Sequence, residues 1–185
     1  MRNIDHKKLA KIIIDHYMSD FPESCKRAFY LGCVQPDFVV FSYFHGFLKH
    51  YTMHGHNYTH SCYLVSRLLK KLNESPNNKT LYFYRLGIII HYVTDAFTHT
   101  HTSKFKGNLK AHQAYEQKLH IAFEKMAEKN SVIFPNNKFY DKKVSINASE
   151  IYKVYRCYLN SRVSVCNDLH YIFFIIAMIM NNYIV

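Results

Sequence analysis

The sequence predicts an all-α fold, a single-domain bundle of several helices formed by residues 1–185. Three observations predict it. The 185-residue chain is 49% apolar, which gives a domain of this size enough surface to bury a core. Five glycines and four prolines are few for a β protein, which must turn often. Apolar residues also recur at helical spacing, as Leu9, Ile12 and Ile13 do near the N-terminus.

Seven helices are predicted in chain order, separated by loops of turn-forming residues. Their expected ranges are 4–19, 23–32, 57–72, 81–97, 109–129, 148–160 and 161–180. Pro22 begins the second helix and the Gln35–Pro36 step follows it, because a residue before proline avoids the α conformation. The centre of the fourth helix, LGIIIHYVTDAF, is apolar on nearly every side, so this helix should be central and buried. Residues 38–55 are expected to form an ordered aromatic loop.

Charge and composition limit the class of partner and the expected location. Twenty-four Lys and Arg against 13 Asp and Glu give a formal charge of +11, which favours nucleic acid, phosphate esters or anionic lipid surfaces. The N-terminal residues lack the features of a secretory signal, and the longest apolar run, ten residues at 171–180, is too short to span a bilayer. Five cysteines without a CxxC pair indicate reduced thiols. We therefore expect a cytoplasmic location.

Histidine is concentrated in one part of the chain, where nine of the 13 lie between His45 and His112. His91 and Asp95 are four residues apart on the predicted central helix, and His112 and Glu116 repeat that spacing on the next long helix. This spacing places both side chains of a pair on one helix face. A buried aspartate needs a cation or hydrogen-bond donors. The alternatives are a hydrogen-bonded pair in the core for the first and an exposed surface pair for the second.

His101 lies between the two pairs and completes the string H-x3-D-x5-H-x10-H-x3-E, with His99 as its rival. Two facing helices that each offer an imidazole and a carboxylate provide the nitrogen and oxygen ligands that suit zinc. A bridging carboxylate would allow two ions, about 3.5–4 Å apart, to share a phosphate oxygen. The sequence therefore predicts a metal site between central helices. Four other histidines are expected to be structural or solvent-facing: His16, His45, His50 and His120.

This string resembles the signature of the zinc-dependent phospholipase C family, which includes bacterial phosphatidylcholine-hydrolysing enzymes and clostridial alpha-toxin. The S1/P1-type nucleases share its architecture. The family motif His-x3-Asp-x5-His, followed by His-x3-Glu, reads HYVTDAFTHTH and then HQAYE here. Upstream, LGCVQPDF is similar to the family's Gly-x3-Pro-Asp segment, HGHNY to its next histidine and DHKKLAKIII to its N-terminal element. The resemblance covers roughly residues 4–120.

The resemblance implies eight ligands for two or three zinc ions. They fall into three groups: Asp37, His56, His91 and Asp95 for one ion; His101, His112 and Glu116 for a second; and His6, with Asp95 bridging, for a third. His54 is the alternative to His56. In the family the third ion also binds the amino group and carbonyl of a processed N-terminal tryptophan. This chain has no tryptophan and carries Met1 five residues before His6, so the number of ions stays open.

The resemblance also implies the reaction, which is hydrolysis of a phosphodiester by a zinc-activated water. Asp37 would orient or deprotonate that water, and phospholipid is the first choice of substrate. Two alternatives stay open. One is an S1/P1-like nuclease or nucleotide phosphodiesterase, since positive charge and aromatic side chains suit a single strand. The other is a metal-binding homologue without turnover. The oligomeric state is not predicted.

Overall fold

The protein is described from a computed structural model, which covers residues 1–37, 58–74, 78–129, 132, 134–135 and 146–184. These residues contain seven α-helices: α1 Asn3–Tyr17, α2 Glu23–Val34, α3 Tyr58–Asn73, α4 Lys79–Ala96, α5 Leu109–Glu128, α6 Ala148–Leu159 and α7 Val165–Tyr183. Two short 3₁₀ helices, Gln35–Asp37 and His99–His101, follow α2 and α4. No strand occurs in the part of the chain that is described. The predicted all-α fold is confirmed.

Four helices begin with a cap, in which a side-chain oxygen accepts a hydrogen bond from a backbone N–H of the first turn: Asn78, Asn108, Asn147 and Ser164. The last cap corrects one predicted boundary. Helix α7 begins at Val165 and not at residue 161, because the Ser164 hydroxyl accepts a hydrogen bond from the backbone of Asn167. The predicted loop over 38–55 lies outside the described residues.

Helices α4 and α7 form the centre of the bundle. Helix α4 packs against α2, α3 and α7, and its Leu86 and Ile89 are fully buried. In α7 the side chains of Ile172, Ile175 and Ile176 are also fully buried, so most of the apolar run over 171–180 lies in the core. Each such side chain stabilises the fold by about 1.5–3 kcal/mol. None of the described helices combines the length and apolar character that a membrane span requires.

Two glycines bring the backbones of α2 and α4 into contact. A Cβ atom on Gly32 would lie 2.1 Å from the carbonyl oxygen of Tyr84, and one on Gly87 would lie 2.2 Å from that of Phe29. No side chain fits between the helices at this crossing. The crossing brings the end of α2, and the 3₁₀ helix that carries Asp37, alongside α4. It therefore sets the position of Asp37 relative to the predicted ligands of α4.

We predict that Gly87→Ala destabilises the protein by about 1–3 kcal/mol or more, because the added methyl group overpacks two backbones. In an open helix position the same change would stabilise by about 0.5–1 kcal/mol. The measurement is the free energy of unfolding in urea. Leu31→Ala, an exposed position on α2, is the control and should change that free energy by less than about 0.5 kcal/mol. Equal stabilities of Gly87→Ala and the unsubstituted protein would contradict the close crossing.

Candidate metal centre

His91 and Asp95 lie one turn apart on α4, and both are almost completely buried. The Nδ1 of His91 lies 3.0 Å from the carbonyl oxygen of Cys33, across the glycine crossing. A hydrogen bond there places the ring proton on Nδ1 and leaves Nε2 as an electron-pair donor. That Nε2 lies 3.6 Å from an oxygen of Asp37 and 3.6 Å from Oδ2 of Asp95. The backbone of α2 thus orients His91 as a metal ligand would be oriented.

Helix α1 adds a second imidazole to this region. The Nε2 of His6 lies 3.0 Å from Oδ1 of Asp95, and its ring stacks on that of His91 with centroids 4.2 Å apart. His6 is as deeply buried as the two α4 residues. His6, His91 and Asp95 each offer one ligand atom, and these atoms all lie within 4.8 Å of one another. We call this group the inner cluster.

The outer cluster comprises His101, His112 and Glu116. His101 lies on the 3₁₀ helix after α4, and the other two lie one turn apart on α5. Oε1 of Glu116 lies 3.3 Å from Nε2 of His101 and 3.4 Å from Nε2 of His112. Their side chains are 13%, 28% and 17% exposed, in sequence order, whereas those of the inner cluster are at most 2% exposed. The outer cluster is therefore the one that solvent reaches.

The amino group of Met1 lies between the two clusters. Its nitrogen lies 2.8 Å from Oδ1 of Asp95, 3.2 Å from Oε1 of Glu116 and 3.3 Å from Nε2 of His101. Burial by itself lowers the pKa of this amino group, but the carboxylates of Asp95 and Glu116 more than offset it and raise the pKa to about 10. The amino group is therefore an ammonium at neutral pH. Its positive charge lies among the oxygen and nitrogen atoms that a metal ion would bind.

The pKa shifts in the outer cluster favour the protonation states that metal ligands need. Burial, together with the ammonium of Met1, lowers the pKa of His101 to about 4. For Glu116, burial favours the neutral acid, but hydrogen bonds to His101 and His112 and the charge of Met1 outweigh it and lower the pKa. At neutral pH the outer cluster thus holds a neutral imidazole and a carboxylate. Both states have an electron pair available for a cation.

The donor set of the two clusters fits zinc. All the side-chain donors are imidazole nitrogens and carboxylate oxygens, which zinc binds in proteins. Asp95 belongs to the inner cluster, with Oδ1 facing Met1 and His6 and Oδ2 facing His91. Both oxygens therefore face imidazoles of the inner cluster, and Oδ1 is also connected to Glu116 of the outer cluster through the Met1 amino group. A buried carboxylate in this position requires positive charge, since an uncompensated one is strongly destabilising.

A second buried carboxylate, Asp168 of α7, holds the outer cluster in place. One oxygen accepts hydrogen bonds from the backbone N–H of His99 and the hydroxyl of Tyr115, both at 2.9 Å. The other accepts one from the hydroxyl of Tyr158 at 2.8 Å. Burial raises the pKa of Asp168 despite these donors. Because His99 begins the 3₁₀ helix that carries His101, Asp168 connects both segments of the outer cluster.

Asp168 was not among the predicted site residues, and the sequence left the role of residue 1 open. The signal for Asp168 was a single acid near the start of an otherwise apolar helix. Met1 could have been expected near the site because it precedes His6 by five residues, which is somewhat more than one helical turn. Between the rivals at 99 and 101, the structure brings His101 into the cluster, whereas the ring of His99 contacts those of Phe105 and Tyr115.

Seven of the eight predicted ligands lie in the described part of the chain, and six of them form the two clusters. Asp37 is the seventh, 18% exposed and beside His91. His56 and its rival His54 lie outside the described residues. That these side chains bind metal stays a prediction.

The fold and the two clusters define a class: an all-α protein whose central helices gather histidines and carboxylates suited to a transition metal. Within that class, the family described as zinc dependent phospholipase C matches residues 5–164, and the chain belongs to this family. The match covers both clusters but neither Met1 nor Asp168. No curated protein and no solved structure is similar enough to count as a match. The resemblance stated from the sequence motifs is confirmed.

We predict that the stability of the metal-free protein depends on pH through the amino group of Met1. Its pKa is about 10 in the folded state against 8.0 ordinarily. Because the folded value is raised, the stabilisation is complete below pH 8 and is lost as the pH rises through about 10. The loss should be roughly 2–3 kcal/mol in the free energy of unfolding, measured in urea at pH 7.5 and pH 10.5.

The control for this prediction is the same chain with an acetylated N-terminus, which has no titrating amino group. Lysines and tyrosines titrate in both proteins, so the difference between the two pH profiles isolates Met1. Identical losses of stability in both proteins would contradict the placement of the amino group.

Proposed function

We propose that this protein is a zinc-dependent phosphodiesterase that hydrolyses phospholipid in the manner of a phospholipase C. The observation that carries the proposal is the position of Asp95. This one buried carboxylate faces the inner imidazoles with both oxygens and meets the outer cluster through the amino group of Met1. A carboxylate so placed is suited to bridge two ions, which together can hold a phosphoryl group. Family membership supports zinc as the metal and a phosphodiester as the substrate.

The proposed ligands follow the geometry of the described residues, except His56, which lies outside them and is assigned from the family motif. They form three groups: His91 and Asp95 with Asp37 and His56; His101, His112 and Glu116; and His6, Asp95 and the Met1 amino group. The last group supplies a nitrogen ligand where the family uses an N-terminal tryptophan. Zinc, when bound, makes water more acidic and places positive charge near the phosphoryl oxygens. Because the Met1 amino group holds a proton at neutral pH, binding through it would release that proton.

Asp37, His91 and the two clusters have different roles in the proposed reaction. Asp37 is partly exposed and lies beside His91, so it can accept a proton from the attacking water while solvent still reaches it. The hydrogen bond from His91 to the Cys33 carbonyl keeps that imidazole in one orientation. The inner cluster is almost completely buried, so bulk water is excluded from that part of the site. The more open outer cluster leaves room for the phosphate group of a substrate.

We also propose a cytoplasmic location, which rests on the thiols. Two cysteines, Cys157 and Cys166, are exposed free thiols. Exposed free thiols are typical of a reducing compartment. The net charge of +11 would draw the protein to anionic phosphate groups there.

The test is hydrolysis by the zinc-loaded protein of two substrates in parallel, phosphatidylcholine vesicles and a single-stranded oligonucleotide. We expect release of the phosphorylated head group, loss of that activity with a chelator, and its recovery with added zinc. Cleavage of the oligonucleotide alone would replace the proposal with a nuclease. A protein that retains two or more zinc ions but cleaves neither substrate would be a metal-binding homologue without turnover, which also overturns the proposal.

We predict that Asp37→Asn lowers kcat by about 10²–10⁴-fold, because the amide cannot accept the proton of the attacking water. The free energy of unfolding should change little, since this side chain is partly exposed. His16→Gln, an exposed histidine of α1 outside both clusters, is the control and should keep the full rate. Elemental analysis of each variant separates loss of the base from loss of an ion. A kcat within a few-fold of that of the unsubstituted protein would remove Asp37 from the mechanism.

A further inference from the structure

A further cluster of histidine and carboxylates lies outside the proposed centre, farther along α5. His112, Glu116, His120 and Glu124 follow one another at every fourth position, so one face of α5 carries two residues of the outer cluster and then two more candidate ligands. Asp5 of α1 faces the second pair. Asp5, His120 and Glu124 each offer a ligand atom, and these atoms lie within 4.8 Å of one another. We call this group the distal cluster.

Asp5 is the residue that sets the distal cluster apart from a surface ion pair. Its side chain is 0% exposed. Oδ1 lies 2.6 Å from Nδ1 of His120, whereas Oδ2 is buried and has no hydrogen-bond partner among the residues that the structure describes. A buried carboxylate oxygen without a partner is strongly destabilising, and such an atom in a native fold calls for a ligand.

Lys8 supplies the positive charge that balances this cluster in the absence of a metal ion. Its ammonium forms an ion pair with Oε2 of Glu124, and both side chains are partly exposed. A lysine ammonium on a flexible stem can move into solvent when a stronger cation arrives. Lys8 would therefore compete with a metal ion for Glu124. In the same way, the Met1 amino group would compete with a metal ion for Asp95 and Glu116.

We propose that Asp5, His120 and Glu124 form an additional binding site for a divalent transition-metal ion such as Zn²⁺. One imidazole nitrogen and two carboxylate oxygens make a ligand set that zinc accepts. The two α5 ligands are partly exposed, which gives an ion access and leaves positions for solvent. The bound ion connects α1 to α5. It thereby holds the helix that carries Met1 and His6 against the helix that carries His112 and Glu116.

The test is titration of the full-length protein with Zn²⁺, with bound metal counted by elemental analysis and affinities measured by calorimetry. Glu124→Gln should reduce the number of tightly bound ions by one, through at least a tenfold loss of affinity at that site. Lys8→Gln keeps all three ligands and should tighten the same site several-fold, because the competing ammonium is gone. Glu128→Gln removes the same charge from an exposed position one turn on and should leave the titration unchanged.

A second measurement places the ion. Adding Zn²⁺ should shift the imidazole NMR resonances of His120, and the paramagnetic ion Co²⁺ should broaden them, in a His112→Gln protein whose outer cluster is impaired. This background separates the two proposals, because failure of lipid hydrolysis leaves the distal site intact. The distal site is refuted by either of two results: Glu124→Gln and Lys8→Gln that both titrate like the unsubstituted protein, or His120 resonances that do not respond to metal.

Discussion

The structure depends on the negative charge of Asp95 inside an apolar helix. Leu86, Ile89 and Ile90 make α4 the centre of the core, yet the same helix buries this carboxylate almost completely. An uncompensated charge there would destabilise the fold by several kcal/mol. The surrounding elements are arranged around that constraint: α1 brings His6 and the amino group of Met1, and α2 orients His91. Cationic or hydrogen-bonding groups from several elements therefore meet Asp95 and compensate its charge.

The same principle extends along the contact between α1 and α5. The N-terminal residues and the first turns of α1 pair with α5 in the same chain direction: Met1 with Glu116, Arg2 with Gln117, Asp5 with His120 and Lys8 with Glu124. These contacts are polar along their whole length. Helix α1 is thus held against α5 by polar contacts, two of which pair an ammonium group with a carboxylate. Three of the four contacts involve a residue that we propose as a metal ligand, so metal binding at those residues would also affect how α1 packs on α5.

The sequence predicted the parts of the site that are local. The pairs His91–Asp95 and His112–Glu116 are visible because helical spacing alone places their side chains together, and few glycines and prolines made the helices themselves predictable. Contacts between distant segments were not predictable. Asp168 reaches the backbone of His99 across 69 positions, and His120, expected to be structural, reaches Asp5 across 115. The Met1 amino group belongs to the backbone and has no residue-type signature.

The two clusters differ in burial, and this difference indicates the side from which a ligand can reach the site. Structural zinc sites are closed, whereas catalytic ones keep a position open to solvent or substrate. The inner cluster is almost completely buried, and the outer cluster is more exposed, most of all at His112. Asp37 is also partly open and lies beside the inner cluster. The proposed phosphodiester substrate would therefore approach from the outer cluster and Asp37. If ions bind as proposed, the charge of Asp95 would act on an ion in the outer cluster, so we expect a change in one cluster to alter the metal affinity of the other.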